Sequence, residues 1–415
     1  MGCCDVKGLM PLEQALTKLQ TSVANVCEAI SLPLSQALGF ALAEDIQSPI
    51  NVPSFNNSAM DGYAMNQADL LEADAAHPVA LKMIGKSFAG APYTGELPAG
   101  CCIRIMTGAV MPSCADSVVM QERAQANGEQ ISFTNTPKLG DNVRKAAEDI
   151  QLGQSVLKVG HKLTTRDIPL IASLGISDIS VFRKLKVAVI SSGDELKNLG
   201  EPLREGDIYD SNRYSIIALL SRLNVDIIDF GIIKDDLALI TEAVKSADQQ
   251  ADVVITSGGV SVGEADFIKD VLTELGEIGF WKLAIKPGKP FAFGKLPHSV
   301  FFGLPGNPVS AMVTLYQLAV PTMATLSGFN AAPAIRFNAL TTERLRKAAG
   351  RTDFQRGNYS VNENGQLVVN TTGSQGSGVF SSMSQSNCFI VLEQDRGDVE
   401  IGETVTIEPY NALMD

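Results

Sequence analysis

Histidine is scarce: three in 415 residues, His77, His161 and His298, far apart in the chain. A histidine-rich metal site, or acid–base chemistry shared among several imidazoles, is therefore disfavoured. Cysteines are few and badly spaced for structure. The seven, at Cys3, Cys4, Cys27, Cys101, Cys102, Cys114 and Cys388, are odd in number, include two adjacent pairs and form no CxxC. That spacing argues against a disulfide framework or a zinc ribbon and for a reducing, cytoplasmic compartment. No run of 18 apolar residues free of charge occurs, so no membrane span is expected. The N-terminus, MGCCDVKGLMPLEQAL, lacks an apolar core followed by a small-residue cleavage site, and Val6 stands where N-myristoylation wants Ser or Thr. The phosphate-binding fingerprints are missing as well. Gly85-Lys86-Ser87 would need glycine at Ala80 to form a Walker loop, and no GxGxxG follows a strand-like run. Positive charge is in deficit: Lys plus Arg is 33 against 46 Asp plus Glu, a net charge of −13. A nucleic-acid partner bound by bulk electrostatics is thereby excluded.

What remains is a globular composition, 45% hydrophobic and 19% charged, with length for two to four domains. Apolar spacing predicts helix within 11–44, broken near 30–35, with a second short helix at 36–43. Residues 49–57 are irregular. Strand-like runs at 79–85, 117–122 and 130–135 suggest a β-rich insert, and a helix is expected at 166–174. From 184 strands and helices alternate. Strands are expected at 184–192, 225–233, 252–257, 281–285, 291–293 and 300–304, with helices at 213–223, 237–246, 265–275 and 309–326. This reads as a doubly wound α/β domain with a parallel sheet and helices on both faces. After a linker at 328–334, short strands separated by Gly, Asn and Asp read as a small β-barrel or sandwich. The division is 1–50 with 145–183 as a mixed helical part, 51–144 as the insert, 184–328 as the α/β domain and 329–415 as the C-terminal β domain.

Candidate chemistry collects where strands end. TSGGVSVGEADF follows the strand at 252–257. Gly258 and Gly259 free the backbone to approach a ligand, Ser257 and Ser261 offer hydroxyls, and Glu264 and Asp266 either bind a cation or cap a helix. SSGDEL places Asp194 and Glu195 at a second strand end, and KDD places Asp235 and Asp236 at a third. WKLAIKPGKPFAFGK carries Lys282, Lys286, Lys289 and Lys295 without an acid, a reversal of sign suited to a polyanionic ligand. GLPGNP joins a strand to a helix, with Asn307 as cap and Pro308 in the first turn. In the N-terminal half, FNNSAMDGYA centres on Asp61, RIMTGA presents Thr107, and RKAAEDI mixes Arg144 with Glu148 and Asp149.

Seven of these motifs, NSAMDGYA, RIMTGA, SSGDEL, GDIYDSN, TSGGVSVGEADF, KLAIKPGKPFAFG and GLPGNPVSA, occur in this order between residues 57 and 311, within a resemblance that covers about 7–410. Together they resemble the molybdopterin molybdenumtransferases, the molybdenum insertases related to the E domain of gephyrin. The resemblance implies a multi-domain, elongated subunit of α/β plus β class. Its α/β domain would resemble molybdopterin adenylyltransferase, and two subunits would form a homodimer. It implies insertion of molybdenum from molybdate into adenylylated molybdopterin with release of AMP, assisted by Mg²⁺. Molybdopterin adenylyltransferase is then the upstream partner. Carried onto this chain, the family's functional positions are Asp61, Thr107, Asp149 with Arg144, Glu195, Asp235, Asp266, Lys282, Lys286, Pro305 and Pro308. Arg356 and Ser377 match in the last domain. Ala147 departs from the family, which commonly has glycine there. On this reading Lys282 and Lys286 offset the ligand's charge, and Glu195, Asp235 or Asp266 hold Mg²⁺ through oxygen. Thr107, serine hydroxyls and backbone amides hold molybdate, and Asp61 positions the reacting groups or accepts a proton.

Two other readings use the same residues: adenylyl transfer to molybdopterin, and a non-catalytic scaffold like the gephyrin E domain. Asp61 and Lys286 lie in different domains. A two-fold axis would bring one subunit's insert over the other's α/β domain, so the cleft is expected to be shared in trans.

Overall fold

The computed structural model describes residues 8–258, 271, 274–330, 333–410 and 414. The expected helix at 265–275 falls mostly outside them, as do Gly259, Ser261, Glu264 and Asp266.

The central sheet has the strand order Val225–Ile233, Leu185–Ser192, Val253–Ser257, Val300–Leu304, Pro290–Lys295, Glu277–Lys282. Side chains alternate across it. Leu185, Val187 and Val189 enter one apolar core with Val253, Ile255, Phe302 and Leu304. Ala188 and Ile190 enter a second with Val254, Ile240 and Val244. A strand buried on both faces reads as a continuous apolar run, which is why 184–192 was legible. The first four strands are parallel, but Pro290–Lys295 runs antiparallel to Val300–Leu304, and Glu277–Lys282 antiparallel to Pro290–Lys295. The sheet is therefore mixed, not parallel throughout. Only residues 296–299 separate two of those strands, too few for a crossover. Helix Ser211–Leu220 starts earlier than expected because Asp210 caps it, accepting from Arg213 N at 3.1 Å. Helix Leu237–Gln250 is capped by Asp236 and runs on beyond 246.

Residues Pro308–Leu326 form one continuous helical segment, 19 residues long, with mean hydropathy 1.3. By length and composition alone it could cross a membrane, a test that a buried core helix also passes. It is 78% buried inside the molecule, as a core helix. A π-helical stretch, Leu315–Ala319, precedes Pro321 and reroutes the backbone ladder where that proline has no N–H to give.

Helix Leu12–Ser22 buries Leu12, Ala15 and Leu19 in this same core. The helix expected at 36–43 is absent. A 3-10 turn, Leu34–Gln36, is followed by Gly39 at φ +85°, which helix cannot continue through. Ala29–Pro33 is instead a strand, antiparallel to Asp178–Phe182, and Leu42, Ile46, Ile150, Ile171 and Val181 share a separate core. The expected helix at 166–174 is present as Asp167–Ser173.

The insert holds a six-stranded sheet in the order Ser117–Met120, Gly62–Met65, Cys101–Ile105, Val79–Ser87, Gln130–Phe133, Ala124–Asn127, with separate apolar clusters. At the C-terminus, Thr352–Val361, Leu367–Thr371, Phe337–Thr341, Thr404–Pro409 and Cys388–Leu392 pair in a ring that closes through Thr352–Val361 against Cys388–Leu392. The β domain is thus a five-stranded closed barrel. Its longest strand, Thr352–Val361, had no apolar signature, because Asp353, Gln355 and Arg356 are all buried polar residues.

Candidate active site

In the insert, Gly62–Met65 pairs antiparallel with Cys101–Ile105, Gly62 opposite Ile105. Asp61, just before one strand, meets Thr107, two residues past the end of the other. Asp61 Oδ1 accepts from Thr107 N at 2.7 Å and from Thr107 Oγ1 at 2.8 Å. The Thr107 amide, its hydroxyl and the nearby Arg104 hold the Asp61 carboxyl below the usual carboxylate range. Both side chains are exposed. Arg104 donates to Gly62 O at 2.8 Å, stacks on Tyr63 at 5.1 Å and bonds Gln121 Oε1. Gly62 is required there, because a Cβ would lie 2.1 Å from Val119 O.

The two-residue strand Asn57–Ser58 gathers the other N-terminal motifs. It pairs with Val143–Arg144 and bridges Val110. Ala147 N donates to Pro53 O at 3.0 Å, and Ala146 N to Asn56 Oδ1 at 2.8 Å. The segments carrying Asp61, Thr107, Arg144 and Asp149 therefore meet on one side of the insert. Asp149 is exposed and its amide donates to Val52 O at 3.0 Å. Ala147 adopts φ +63°, a conformation natural to the glycine expected at this position.

The second group lies along the carboxyl rim of the central sheet. Strand directions put the ends at Ser192, Ile233, Ser257 and Leu304 on this rim, and antiparallel pairing returns Lys282 and Pro290 to it. Acids occupy one end and lysines the other, five inter-strand spacings or about 24 Å apart. At the acidic end Asp235 N donates to Asp194 Oδ1 at 3.2 Å. Partial burial and the neighbouring carboxylates of Asp194 and Glu195 push the Asp235 carboxyl up. No group of three or more His, Cys, Asp or Glu with metal-site geometry occurs among the described residues.

In the middle of the rim, Gly258 N donates to Leu304 O at 3.2 Å, which brings the loop after Ser257 against the one carrying Pro305. Asn212, at the start of its helix, bridges them: Nδ2 donates to Ser257 Oγ and to Gly306 O, each at 2.8 Å. Its Oδ1, with Ser191 Oγ and Thr256 Oγ1, is buried without a hydrogen-bond partner, the kind of debt that binding sites carry. Asn212 was within the GDIYDSN motif but was not singled out in the sequence.

At the basic end, Lys282 and Lys289 are exposed and Lys286 half-buried. Lys295 does not join them. It pairs opposite Glu277 at the other end of its strand, roughly 17 Å away. Ile285–Lys286 leaves the central sheet and pairs in parallel with Thr352–Asp353 of the barrel, where Lys286 Nζ meets Asp353 Oδ2 at 3.1 Å.

The barrel also reaches the helix that follows the GLPGNP loop. Asn307 makes no side-chain cap, contrary to expectation. Val309 N donates instead to Ser377 O at 3.1 Å. Arg356 is 0% exposed, so it is not a surface ligand contact. It bonds Ser382 Oγ, Phe354 O and Gly376 O, and with Gln375 fixes the loop bearing Ser377. Burial pushes the thiols of Cys27 and Cys102 up to about 11 and about 12, which leaves them inert at neutral pH.

Residues 10–175 match the MoeA N-terminal region (domain I and II), 188–325 a probable molybdopterin binding domain, and 338–410 the MoeA C-terminal region (domain IV). The chain belongs to the MoeA family. It is 50% identical to the molybdopterin molybdenumtransferase of Haemophilus influenzae over 98% of this chain and 100% of that one. Against the Bacillus subtilis molybdopterin molybdenumtransferase the identity is 34%, over 90% of this chain and 88% of the relative. Gephyrin of Dictyostelium discoideum is 30% identical over 97% of this chain and 63% of its own length. Among solved structures, the molybdopterin biosynthesis MoeA protein of Pyrococcus horikoshii superposes with a TM-score of 0.84 at 28% identity, covering 97% of this chain and 100% of that one. The likeness spans the insert, the α/β domain and the barrel together, so the MoeA architecture is present as a whole.

Proposed function

We propose that this chain transfers molybdenum from molybdate into adenylylated molybdopterin and releases AMP. The observation that carries the reading is the 50% identity, across all regions, to a protein named for that activity. The rim supports it chemically. An anionic, elongated ligand meets lysines at one end, glycine backbone and hydroxyls in the middle and carboxylates at the other. Asp194, Glu195 and Asp235 supply only oxygen donors, the type Mg²⁺ takes, although these three do not by themselves form a metal-site group and a further acid is needed. Such a cation polarises a phosphoanhydride. Asp235 and Glu195 would hold it, with Asp266. Ser257, Gly258, Gly259, Ser261, Pro305 and Pro308 would line the pterin nucleotide. Thr107 would offer its hydroxyl to molybdate, with its amide and Asp61 fixing the hydroxyl's direction.

The division at 1–50 with 145–183, 51–144, 184–328 and 329–415 stands as part of this proposal. The chain would act as a homodimer in the cytoplasm, fed by a molybdopterin adenylyltransferase. Cys27, Cys101, Cys102, Cys114 and Cys388 are all free thiols, in keeping with a reducing compartment. The apolar clusters of the insert include no residue of the central sheet, so the two half-sites share no core within one chain. Both half-sites also expose apolar side chains: Phe55 and Met60 beside Asp61, and Leu199, Leu203, Ile208 and Tyr209 beyond Glu195.

The test is direct. Purified protein with adenylylated molybdopterin, molybdate and Mg²⁺ should release AMP and yield cofactor that activates an apo-molybdoenzyme. Adenylylated product formed from ATP and molybdopterin, with no AMP release from the adenylylated substrate, would instead mark an adenylyltransferase.

A further inference from the structure

Among the described residues, Lys286 is the rim lysine whose ammonium pairs with a carboxylate of another domain. Its strand partner is Asp353, on the barrel strand Thr352–Val361, and the register places the two residues directly opposite. The Asp353 side chain is 3% exposed, while that of Lys286 is 43% exposed. Asp353 Oδ2 takes one N–H from Lys286 at 3.1 Å and another from Gln355 Nε2 at 3.2 Å. Gln355 is itself buried and anchored on Arg346 O at 3.0 Å. The carboxylate is thus fixed from its own strand, and the ammonium is tied to it on one side only.

We propose that Asp353 is a positioning residue for the reaction: a buried carboxylate, supplied by the barrel, that holds the Lys286 ammonium at the rim where the anionic ligand docks. This rests on the functional reading above. A free lysine loses up to about 2 kcal/mol of rotamer freedom when a ligand immobilises it. Pairing with Asp353 meets part of that cost before the ligand arrives. One of the three ammonium donors is taken, and the half-exposed side chain leaves the others directed outward.

The two consequences of the pair oppose each other. Asp353 fixes the ammonium, which favours turnover, and it offsets the charge, which weakens simple anion binding. Asp353→Asn is therefore expected to bind adenylylated molybdopterin as tightly as wild type or tighter, while kcat falls roughly 10- to 100-fold, the scale of a misplaced catalytic group. In a Lys286→Met background the same substitution should cost less than about twofold, since the group it positions is gone. Equal losses of kcat in the two backgrounds would overturn the proposal and leave Asp353 a structural residue. If Asp353→Asn fails to fold, Asp353→Glu, which keeps the charge and shifts the carboxylate by one methylene, enters the same cycle with the same criterion. Wild-type protein without molybdenum transfer would refute the functional reading, whereas turnover with additive losses refutes only the positioning role.

Discussion

At φ +63°, Ala147 holds a left-handed backbone that costs an L-residue about 1 kcal/mol and a glycine almost nothing. Ala147→Gly is expected to stabilise the protein by roughly 0.5 kcal/mol, the relief of strain being partly offset by unfolded-chain entropy. A denaturant midpoint that moves down would show that the loop carries no strain there. Lys286 shows the opposite situation, a residue whose removal harms two functions. Its loss takes a charge-assisted contact from the ligand, worth roughly 1.5–3 kcal/mol of binding. It also strips buried Asp353 of its ion-pair partner. Lys286→Ala is thus expected both to weaken binding of adenylylated molybdopterin in calorimetry and to lower unfolding free energy by about 1–3 kcal/mol. Unchanged affinity would remove Lys286 from the site. The lysines and Asp61 could be read from sequence because charge and motif mark them locally. Asp353 could not: nothing near position 353 points to a lysine 67 residues earlier, and the pair exists only through the β pairing of two domains.

Among the elements, apolar runs translated faithfully and buried polar ones did not. Leu185–Ser192 and Val300–Leu304 are covered on both faces, so their sequences are nearly all apolar. Thr352–Val361 buries Asp353 and Gln355 on its barrel-facing side and Arg356 on the other, polar residues that mimic a loop in composition. The hairpin that makes the central sheet mixed was written in the short 296–299 connection, not in the strands. At the acidic strand ends, a carboxyl raised on folding binds more protons in the folded chain than in the unfolded one. Its contribution to stability therefore declines as pH climbs from the ordinary aspartate value of about 4 toward its folded pKa. Asp235→Asn is expected to raise Tm at neutral pH, with the gain shrinking as pH falls toward about 4. A gain independent of pH would assign the effect to something other than charge. Mg²⁺ should raise the wild-type Tm more than that of Asp235→Asn, and equal shifts would place the cation elsewhere.

On the scale of the whole molecule, two half-sites need to meet. One is the insert with Asp61 and Thr107, and the other is the rim with Lys282, Lys286, Glu195 and Asp235. Their cores are separate, and each exposes apolar side chains suited to a second copy of the chain. The measurement that reads this most directly is complementation between Asp61→Ala and Lys286→Ala. The two are co-expressed with different tags, and the heterodimer is purified through both. With clefts shared in trans, each heterodimer carries one intact site and one doubly damaged site. Molybdenum transfer should then return to about half the wild-type rate per subunit, although each parent homodimer keeps only a small residual rate. With clefts built within single subunits no intact site can form, and a purified heterodimer as inactive as its parents would contradict the account.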